Sequence, residues 1–165
     1  MKQLLAALII LAASAAGPGE ILTNRDFENK EDHMAGWSVK NAQSFVEDKD
    51  PVHPITPHYL TVLASSGTVV TNDLGGGLSV RKGEILDFTI HANSLNKGKM
   101  VALLINGEGE IVAAGVVNVR KNGWKEYKTS LQADRDASGC TLDIVLPAGR
   151  ISLDAASLVS DSNYR

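Results

Sequence analysis

Residues 84–119, EILDFTIHANSLNKGKMVALLINGEGEIVAAGVVNV, decide the fold class of this chain of 165 residues. Apolar and polar side chains alternate from Leu86 to Ala92, and this period of two is typical of a β-strand with one buried face. Two apolar, β-branched stretches follow, separated by Asn106-Gly107-Glu108-Gly109. An Asn-Gly pair between two such stretches is the strongest local signal for a β-hairpin. The whole segment therefore predicts consecutive β-strands.

Similar strand patterns recur along most of the chain. Residues 58–64 predict a strand with Tyr59, Thr61 and Leu63 on one face, and further strands are predicted from Trp124 onward, at 139–147 and at 151–159. Residues 48–58 hold three prolines and two histidines, which predicts an exposed loop. About eight to ten short strands at this spacing predict an all-β fold, a jelly-roll-like sandwich of two antiparallel sheets.

The first sixteen residues predict an export signal. Lys2 precedes an uninterrupted apolar run over residues 4–13, and small residues follow that run, which is the pattern of a cleaved signal peptide. An apolar run of about ten residues is too short to span a bilayer as a helix. We therefore expect a signal peptide at 1–16, one β-sandwich domain at 20–160, no membrane span, and a periplasmic or secreted location.

Composition argues against some partners. Without the signal peptide the chain keeps 15 basic and 19 acidic residues, and the basic residues form no stripe, so nucleic acid is not an expected partner. Cys140 is the only cysteine, which excludes an internal disulfide. It lies in an alternating apolar segment, which favours a small buried side chain over a nucleophilic thiol.

Patterns of catalytic residues are weak. His53 and His58 are close in sequence but lack a third ligand at a defined spacing, so a solvated loop is favoured over a transition-metal site. Gly75-Gly76-Gly77 is followed by a predicted strand, which favours a bulge or a close backbone approach over a phosphate-binding loop. No pair of carboxylates stands out as a glycosidase pair. We therefore expect a protein that is not an enzyme.

Asp154 interrupts an otherwise apolar segment near the end of the domain. Burying an unpaired carboxylate is costly, so Asp154 needs a partner. A hard cation bound by carboxylate and carbonyl oxygens is one solution. A hydrogen bond or salt bridge at the sheet edge is the alternative.

Six short motifs distributed over the chain form a recognisable series. They are Asn24-x-x-Phe27-Glu28, Gly36-Trp37, Pro57-His58-Tyr59-Leu60, Gly76-Gly77-Leu78-x-Val80-x-Lys82-Gly83, Trp124-Lys125-x-Tyr127 and Leu153-Asp154-x-x-Ser157-Leu158. Their order and spacing resemble the galactose-binding-like jelly roll of carbohydrate-binding modules in families 4, 9 and 22. The resemblance is strongest to the accessory module of family-51 α-L-arabinofuranosidases.

This resemblance implies a non-catalytic module that binds plant cell-wall polysaccharide of the arabinan or xylan class. It also implies a structural Ca²⁺ held by Glu28 and Asp154, with backbone carbonyls completing the shell. The implied partners are a polysaccharide or oligosaccharide and a separately encoded glycoside hydrolase.

Aromatic residues for a sugar platform are few. Tyr59, Phe45 and Tyr164 remain for this role once the rings at family packing positions are set aside, namely Phe27, Trp37, Phe88, Trp124 and Tyr127. The two tryptophans are alternative platforms, because sugar grooves normally use exposed rings.

For the sugar site we predict Tyr59 with the polar residues His53, His58, Asn72 and Asp73. The shortage of aromatic residues favours an alternative, an exported interaction or assembly domain that has lost sugar binding. Another alternative is a truncated accessory module of a family-51 arabinofuranosidase.

Overall fold

The computed structural model describes residues 19–161. The predicted signal peptide and Tyr164 lie outside this range. The described residues form eleven β-strands, more than the number expected. They are β1 Trp37–Lys40, β2 Gln43–Glu47, β3 Tyr59–Ala64, β4 Val69–Asn72, β5 Leu78–Val80, β6 Ile85–Ser94, β7 Gly98–Ile105, β8 Ile111–Val119, β9 Trp124–Gln132, β10 Ala137–Val145 and β11 Gly149–Ser160.

The strands form two antiparallel sheets, and the expected β-sandwich of jelly-roll type is confirmed. One sheet has the order β1-β4-β10-β7-β8, with β5 also paired to β10. The other has the order β2-β3-β11-β6-β9, and we call it the five-stranded sheet. Within residues 19–161, no helix has the length and apolar character needed to cross a membrane.

The core lies between the two sheets. Strand β6 contributes Leu86, Phe88 and Ile90, each 1% exposed, as the alternation predicts. Cys140 of β10 is fully buried among them, in agreement with its interpretation as a small apolar side chain.

The two faces of strand β3 cannot be told apart by a simple apolar pattern. Leu60 and Val62 are fully buried in the core. Tyr59, Thr61 and Leu63 share the opposite face, which is the outer face of the five-stranded sheet. The three residues that the sequence groups together do lie on one face, but that face does not belong to the core.

Turn chemistry agrees with the sequence at two places. The Asn106 side chain accepts hydrogen bonds from the backbone N–H groups of Glu108 and Glu110, at 3.0 and 2.9 Å, and so organises the β7–β8 hairpin. Gly77 has a φ of 120°, and a Cβ atom there would lie 3.0 Å from the Cα of Gly139. The glycine run therefore marks a close backbone approach.

Residues 21–36 form an irregular segment that packs against β11. The Asn24 side chain donates hydrogen bonds to the carbonyls of His33 and Ala35, at 2.8 and 3.2 Å. Arg25 and Ala156 exchange two hydrogen bonds, with Arg25 Nε donating to the Ala156 carbonyl at 2.7 Å and Ala156 N donating to the Arg25 carbonyl at 3.1 Å. The two bonds between Arg25 and Ala156 join this segment to the last strand of the domain.

Candidate functional site

The outer face of the five-stranded sheet carries polar and aromatic side chains. Strand register places Phe45, Thr61, Ser152, Asn93 and Trp124 in one line across all five strands. Because these strands are far apart in sequence, only the tertiary fold assembles this line. Its central members are polar, and its two ends are aromatic.

A chain of hydrogen bonds fixes the polar groups on β2, β3 and β11. Thr61 Oγ1 donates to Glu47 Oε2 at 2.6 Å and lies 2.7 Å from the Ser152 hydroxyl. Arg150 Nη2 donates to the same Glu47 oxygen at 2.9 Å. Since Thr61 is fully buried and Ser152 is 7% exposed, this chain is held in place beneath the surface and presents Glu47 and Arg150 to solvent.

Two aromatic rings meet above this face. Tyr59 on β3 and Trp124 on β9 approach edge to face, with ring centroids 5.1 Å apart. Strands β11 and β6 lie between β3 and β9, and neighbouring strands are about 4.8 Å apart. The rings therefore reach towards each other across two strands. Trp124, expected at a packing position, lies outside the buried core.

Residues 48–58, here called the strap, fold over the outer face of the five-stranded sheet. The Tyr59 hydroxyl donates a hydrogen bond to the Lys49 carbonyl, and Trp124 Nε1 donates to the Asp50 carbonyl at 3.0 Å. The two rings thus hold the beginning of the strap through its backbone.

Further along the strap, His53 packs edge to face on His91 of β6, with ring centroids 5.4 Å apart. His91 Nε2 is 3.6 Å from a carboxylate oxygen of Glu126. The expected loop is therefore ordered by contacts with β3, β6 and β9, although His53 itself is exposed.

Between the strap and the β8–β9 turn lies a groove of about 550 Å³. This volume is in the range of small-molecule sites, which is about 300–1,000 Å³. Most of the lining residues are polar, and they come from the strap and from six of the strands and turns around it: Glu47, Lys49, Asp50, Tyr59, Asn93, Ser94, Leu95, Asn122, Gly123, Arg150 and Ser152.

An exposed ring stands next to the groove. Phe45 is 40% exposed, and the Arg150 guanidinium carbon lies 5.6 Å from its ring centroid. A cation over an aromatic face is held by the ring quadrupole. Arg150 thus connects the groove with the exposed Phe45 ring at the β2 edge.

Asp154 lies on the same sheet, beneath the segment 21–36, and is fully buried. Its Oδ1 accepts a hydrogen bond from the Ala155 N–H at 2.7 Å, while its Oδ2 has no partner. Ala155 has a φ of 45°, and the pairing of β11 with β6 is interrupted between Asp154 and Ser157. The register pairs Asp154 with His91, so the carboxylate projects from the same face as Ser152, where the segment 21–36 covers it, and the bulge in β11 comes directly after it.

The electrostatics of Asp154 follow from this burial. Desolvation raises the pKa of its carboxyl from 3.8 to about 7, and the Ala155 N–H opposes that rise. The carboxylates of Asp26 and Glu28 raise the pKa further, whereas Arg25 lowers it. A proton or a cation at Oδ2 would relieve the cost of burying this charge.

Glu28 is held by His58. One Glu28 oxygen accepts from the His58 backbone N–H and the other contacts His58 Nδ1, both at 2.7 Å. The His58 ring stacks on His33 at 4.1 Å between centroids. His58 therefore lies in a contact between the end of the strap and the segment 21–36, and it does not line the groove.

The residues predicted for the sugar site divide into two groups. Tyr59, His53 and His58 belong to the strap or its end, whereas Asn72 and Asp73 lie at the end of β4 in the other sheet. Of the five, only Tyr59 lines the groove. The structure therefore does not bring the predicted set together.

Asn72 has a structural position. It is fully buried, its Oδ1 accepts from the backbone N–H groups of Thr23 and Leu74, and its Nδ2 donates to the Thr23 carbonyl, at 2.9 to 3.2 Å. Asp73 accepts from Thr23 Oγ1 at 3.0 Å and from Gly75 N at 2.9 Å. Because Asn72 is fully buried and both the oxygen and the nitrogen of its amide are hydrogen-bonded within the protein, it is not accessible to a ligand.

Sequence reasoning missed Glu47, Asn93, Arg150 and Ser152. One signal was present, because Arg150, Ser152 and Asp154 alternate with apolar residues in β11 and so predict one polar face. The other strands that contribute to this polar face cannot be identified from the local sequence, because they are brought together only by the tertiary fold.

The comparisons with known proteins identify the fold. No family model and no curated protein matches the chain. Among solved structures, an arabinose-bound family-51 α-L-arabinofuranosidase is similar with a TM-score of 0.75 and 20% identity, over 87% of this chain. The chain has the fold of carbohydrate-binding modules, a galactose-binding-like jelly roll. It corresponds to 27% of the length of the arabinofuranosidase.

Two modules are matched over nearly their whole length. A family-22 xylan-binding domain from Paenibacillus barcinonensis has a TM-score of 0.57 and 13% identity, with 82% of this chain and 91% of that domain covered. A family-4 carbohydrate-binding module has a TM-score of 0.57 and 12% identity, with 85% and 99% covered.

Proposed function

We propose that this protein is a non-catalytic carbohydrate-binding module that recognises plant cell-wall polysaccharide of the arabinan or xylan class. The groove on the outer face of the five-stranded sheet is the observation that carries this proposal. The arabinose-bound enzyme and the xylan-binding domain with the same fold support the choice of sugar class. We further propose export by a signal peptide at 1–16 and action beside a separately encoded glycoside hydrolase.

The chemistry of the groove suits sugar hydroxyls. Glu47, Asn93 and Ser152 offer acceptors and donors whose positions are fixed by the sheet, and Arg150 adds a charged donor. Hydrogen bonds to charged groups are stronger than neutral ones. The Phe45 ring adds an apolar surface at the edge, as sugar faces require.

The same contacts favour binding over catalysis. A glycosidase needs one carboxyl that keeps its proton and a second carboxylate across the bond. Glu47 instead accepts hydrogen bonds from Thr61 and Arg150 on one oxygen, which suits a fixed acceptor rather than a proton donor.

We also propose a structural Ca²⁺ at Asp154, with Glu28 contributing. The unpartnered, buried Oδ2 of Asp154 fits this role. Both Glu28 oxygens are engaged by His58 but keep a second lone pair each. Residues 19–161 contain no preformed group of three His, Cys, Asp or Glu side chains, so backbone carbonyls would complete the shell, as Ca²⁺ permits.

Calorimetric titration with arabinan- and xylan-derived oligosaccharides tests the sugar proposal. Arg150→Ala should weaken binding by about tenfold or more, because a hydrogen bond to a charged group is lost. Arg81→Ala, at an exposed arginine in the turn before β6, is the matched control and should bind like wild type.

If Arg150→Ala and Arg81→Ala bind the oligosaccharides equally well, the groove is not the sugar-binding site. If the wild type binds none of the oligosaccharides, the alternative of an interaction or assembly domain is favoured instead. The shortage of exposed aromatic rings already favours that alternative.

A further inference from the structure

The sheet with the order β1-β4-β10-β7-β8, here called the second sheet, has an apolar outer face. Val70, Leu142 and Leu104 of this sheet are fully buried in the core, so the residues that alternate with them along the strands point away from the core. Strand pairing aligns these outward residues in rows across the sheet. One row consists of four valines on β4, β10, β7 and β8, namely Val69, Val145, Val101 and Val116.

The next rows add further apolar side chains. Leu103 of β7 pairs with Ala114 of β8, and Ile105 pairs with Ile111. Val116 and Ile111 are 51% and 53% exposed. Monomeric soluble proteins rarely expose a contiguous apolar area of more than a few hundred Å², and a larger one marks an interaction surface.

The carboxylate that interrupts these rows has a partner within the sheet. Asp143 of β10 pairs with Leu103 on one side and with Thr71 on the other. The Thr71 hydroxyl donates a hydrogen bond to Asp143 Oδ1 at 2.7 Å. A surface that covered this face would therefore bury a carboxylate that is already hydrogen-bonded.

Opposite charges lie at the two ends of β7 and β8. The end where β7 begins and β8 stops carries four exposed cations and, within residues 95–99 and 117–123, no acidic residue: Lys97, Lys99, Arg120 and Lys121. The end with the β7–β8 turn carries four exposed carboxylates beside two cations: Glu108, Glu110, Asp134, Asp136, Lys82 and Arg135. The apolar rows therefore lie between a basic end and an acidic end.

We propose that two copies of this chain associate through the outer face of the second sheet. A two-fold axis that lies in the interface and runs across the strands would bring the acidic end of each copy against the basic end of the other. An axis along the strands would bring like charges together. The face is therefore complementary to itself in one orientation, as a two-fold contact requires.

The size of the face fits a weak dimer. Three of its strands have eight or nine residues and two have four. At about 4.8 Å between strands and about 3.3 Å per residue, the face covers roughly 550 Å². Two copies would bury roughly 1,100 Å² before the charged ends are counted, near the lower limit of about 1,200 Å² for specific interfaces.

This inference does not rest on sugar binding. The groove lies on the outer face of the five-stranded sheet, which is the opposite side of the sandwich. Both copies would keep their grooves open to solvent.

Sedimentation equilibrium from micromolar to millimolar concentration tests the inference, and the wild type should form a dimer. Val116→Glu places a charge among the apolar rows and should raise the dimer dissociation constant by about tenfold or more. Leu63→Glu is the matched control, because Leu63 is 41% exposed on the outer face of the five-stranded sheet, and it should dimerise like wild type.

A wild type that stays monomeric at every concentration would overturn the inference and leave the face to a different protein, such as a glycoside hydrolase. A dimer that Val116→Glu leaves intact would place the contact elsewhere and overturn it as well.

Charge reversal tests the orientation, and it decides the matter if circular dichroism shows that Val116→Glu does not fold. Glu108→Lys and Lys99→Glu change exposed side chains at opposite ends of the face. Each should weaken the dimer by about tenfold, because it brings like charges together, and the double variant should recover most of the loss. Single variants that dimerise like wild type would contradict the proposed pairing of the two ends.

Discussion

In the presence of chelator, the free energy of unfolding should decrease as the pH rises from about 4 to about 7. The cause is Asp154, whose pKa is raised from 3.8 to about 7 by burial. In this pH range the folded protein keeps a proton that the unfolded chain has released, so each rise in pH favours unfolding. Below pH 4 or so, Asp154 is protonated in both the folded and the unfolded state, so the free energy of unfolding no longer depends on this group. Above pH 7 or so, Asp154 is ionised in both states, and the whole contribution of the bound proton to stability has been lost.

The expected loss is large. A shift of about three pKa units corresponds to a change on the order of 4 kcal/mol in stability, since one unit is about 1.4 kcal/mol. Urea unfolding between pH 4 and pH 8 in chelator measures it. Asp154→Asn, which cannot ionise, should flatten the profile and should be more stable than wild type at pH 8.

The matched control is Asp48→Asn, at an exposed aspartate of the strap, which should keep the wild-type profile. If Asp154→Asn shows the same slope as wild type, Asp154 is not the group responsible.

Ca²⁺ should take the place of the proton on the Asp154 carboxyl group and stabilise the folded protein. At pH 8 a Ca²⁺ concentration of about 100 times its dissociation constant should stabilise the wild type by about 2.7 kcal/mol, and Asp154→Asn should lose this response. A wild type that melts alike in Ca²⁺ and in chelator would end the calcium proposal. The pH dependence in chelator would still stand, because it needs only the buried carboxyl.

The elements that sequence predicts well are those whose signal is local. The alternation in β6 and the Asn-Gly pair at 106–107 each reside in a few adjacent residues, and both are confirmed in the structure. A second Asn-Gly pair, at 122–123, directly precedes β9, with φ values of 67° and 91°. It nevertheless joins strands of different sheets, because β8 pairs with β7 and β9 pairs with β6.

The groove shows why the candidate site could not be predicted in the same way. Thr61 faces Ser152 because β3 pairs with β11, and no local pattern encodes a pairing between residues so distant in sequence. The orientation of β3 depends on the same pairing. Tyr59 and Leu63 are large hydrophobic side chains like Leu60 and Val62, so the pattern of this strand leaves its buried face undetermined.

Asn72 illustrates a related difficulty. A polar residue before a glycine run looks available to a ligand, and only the structure shows that the segment 21–36 returns to β4, where Thr23 bonds both the oxygen and the nitrogen of the Asn72 amide. Burial of Asn72 depends on a segment with no regular secondary structure, whose path the sequence does not predict.

Asn72→Ala should therefore destabilise the protein by about 3 to 5 kcal/mol. Each buried group left without a hydrogen-bond partner costs roughly 1–3 kcal/mol, and the substitution leaves two N–H groups and one carbonyl of Thr23 and Leu74 without theirs. Urea unfolding measures the loss. Asp73→Ala, at the exposed neighbour, should cost about 1 kcal/mol, since exposed groups can bind water instead.

Sugar binding by the same variants separates structure from recognition. Measured well below the melting temperature, both should bind oligosaccharide like wild type, because the groove lies on the other sheet. A stable Asn72→Ala variant that has lost binding would place the site at the end of β4, beside Thr23 and Asp73. Loss of stability with retained binding would instead show that Asn72 joins the irregular segment 21–36 to the sheet that contains β4, while the five-stranded sheet carries the ligand.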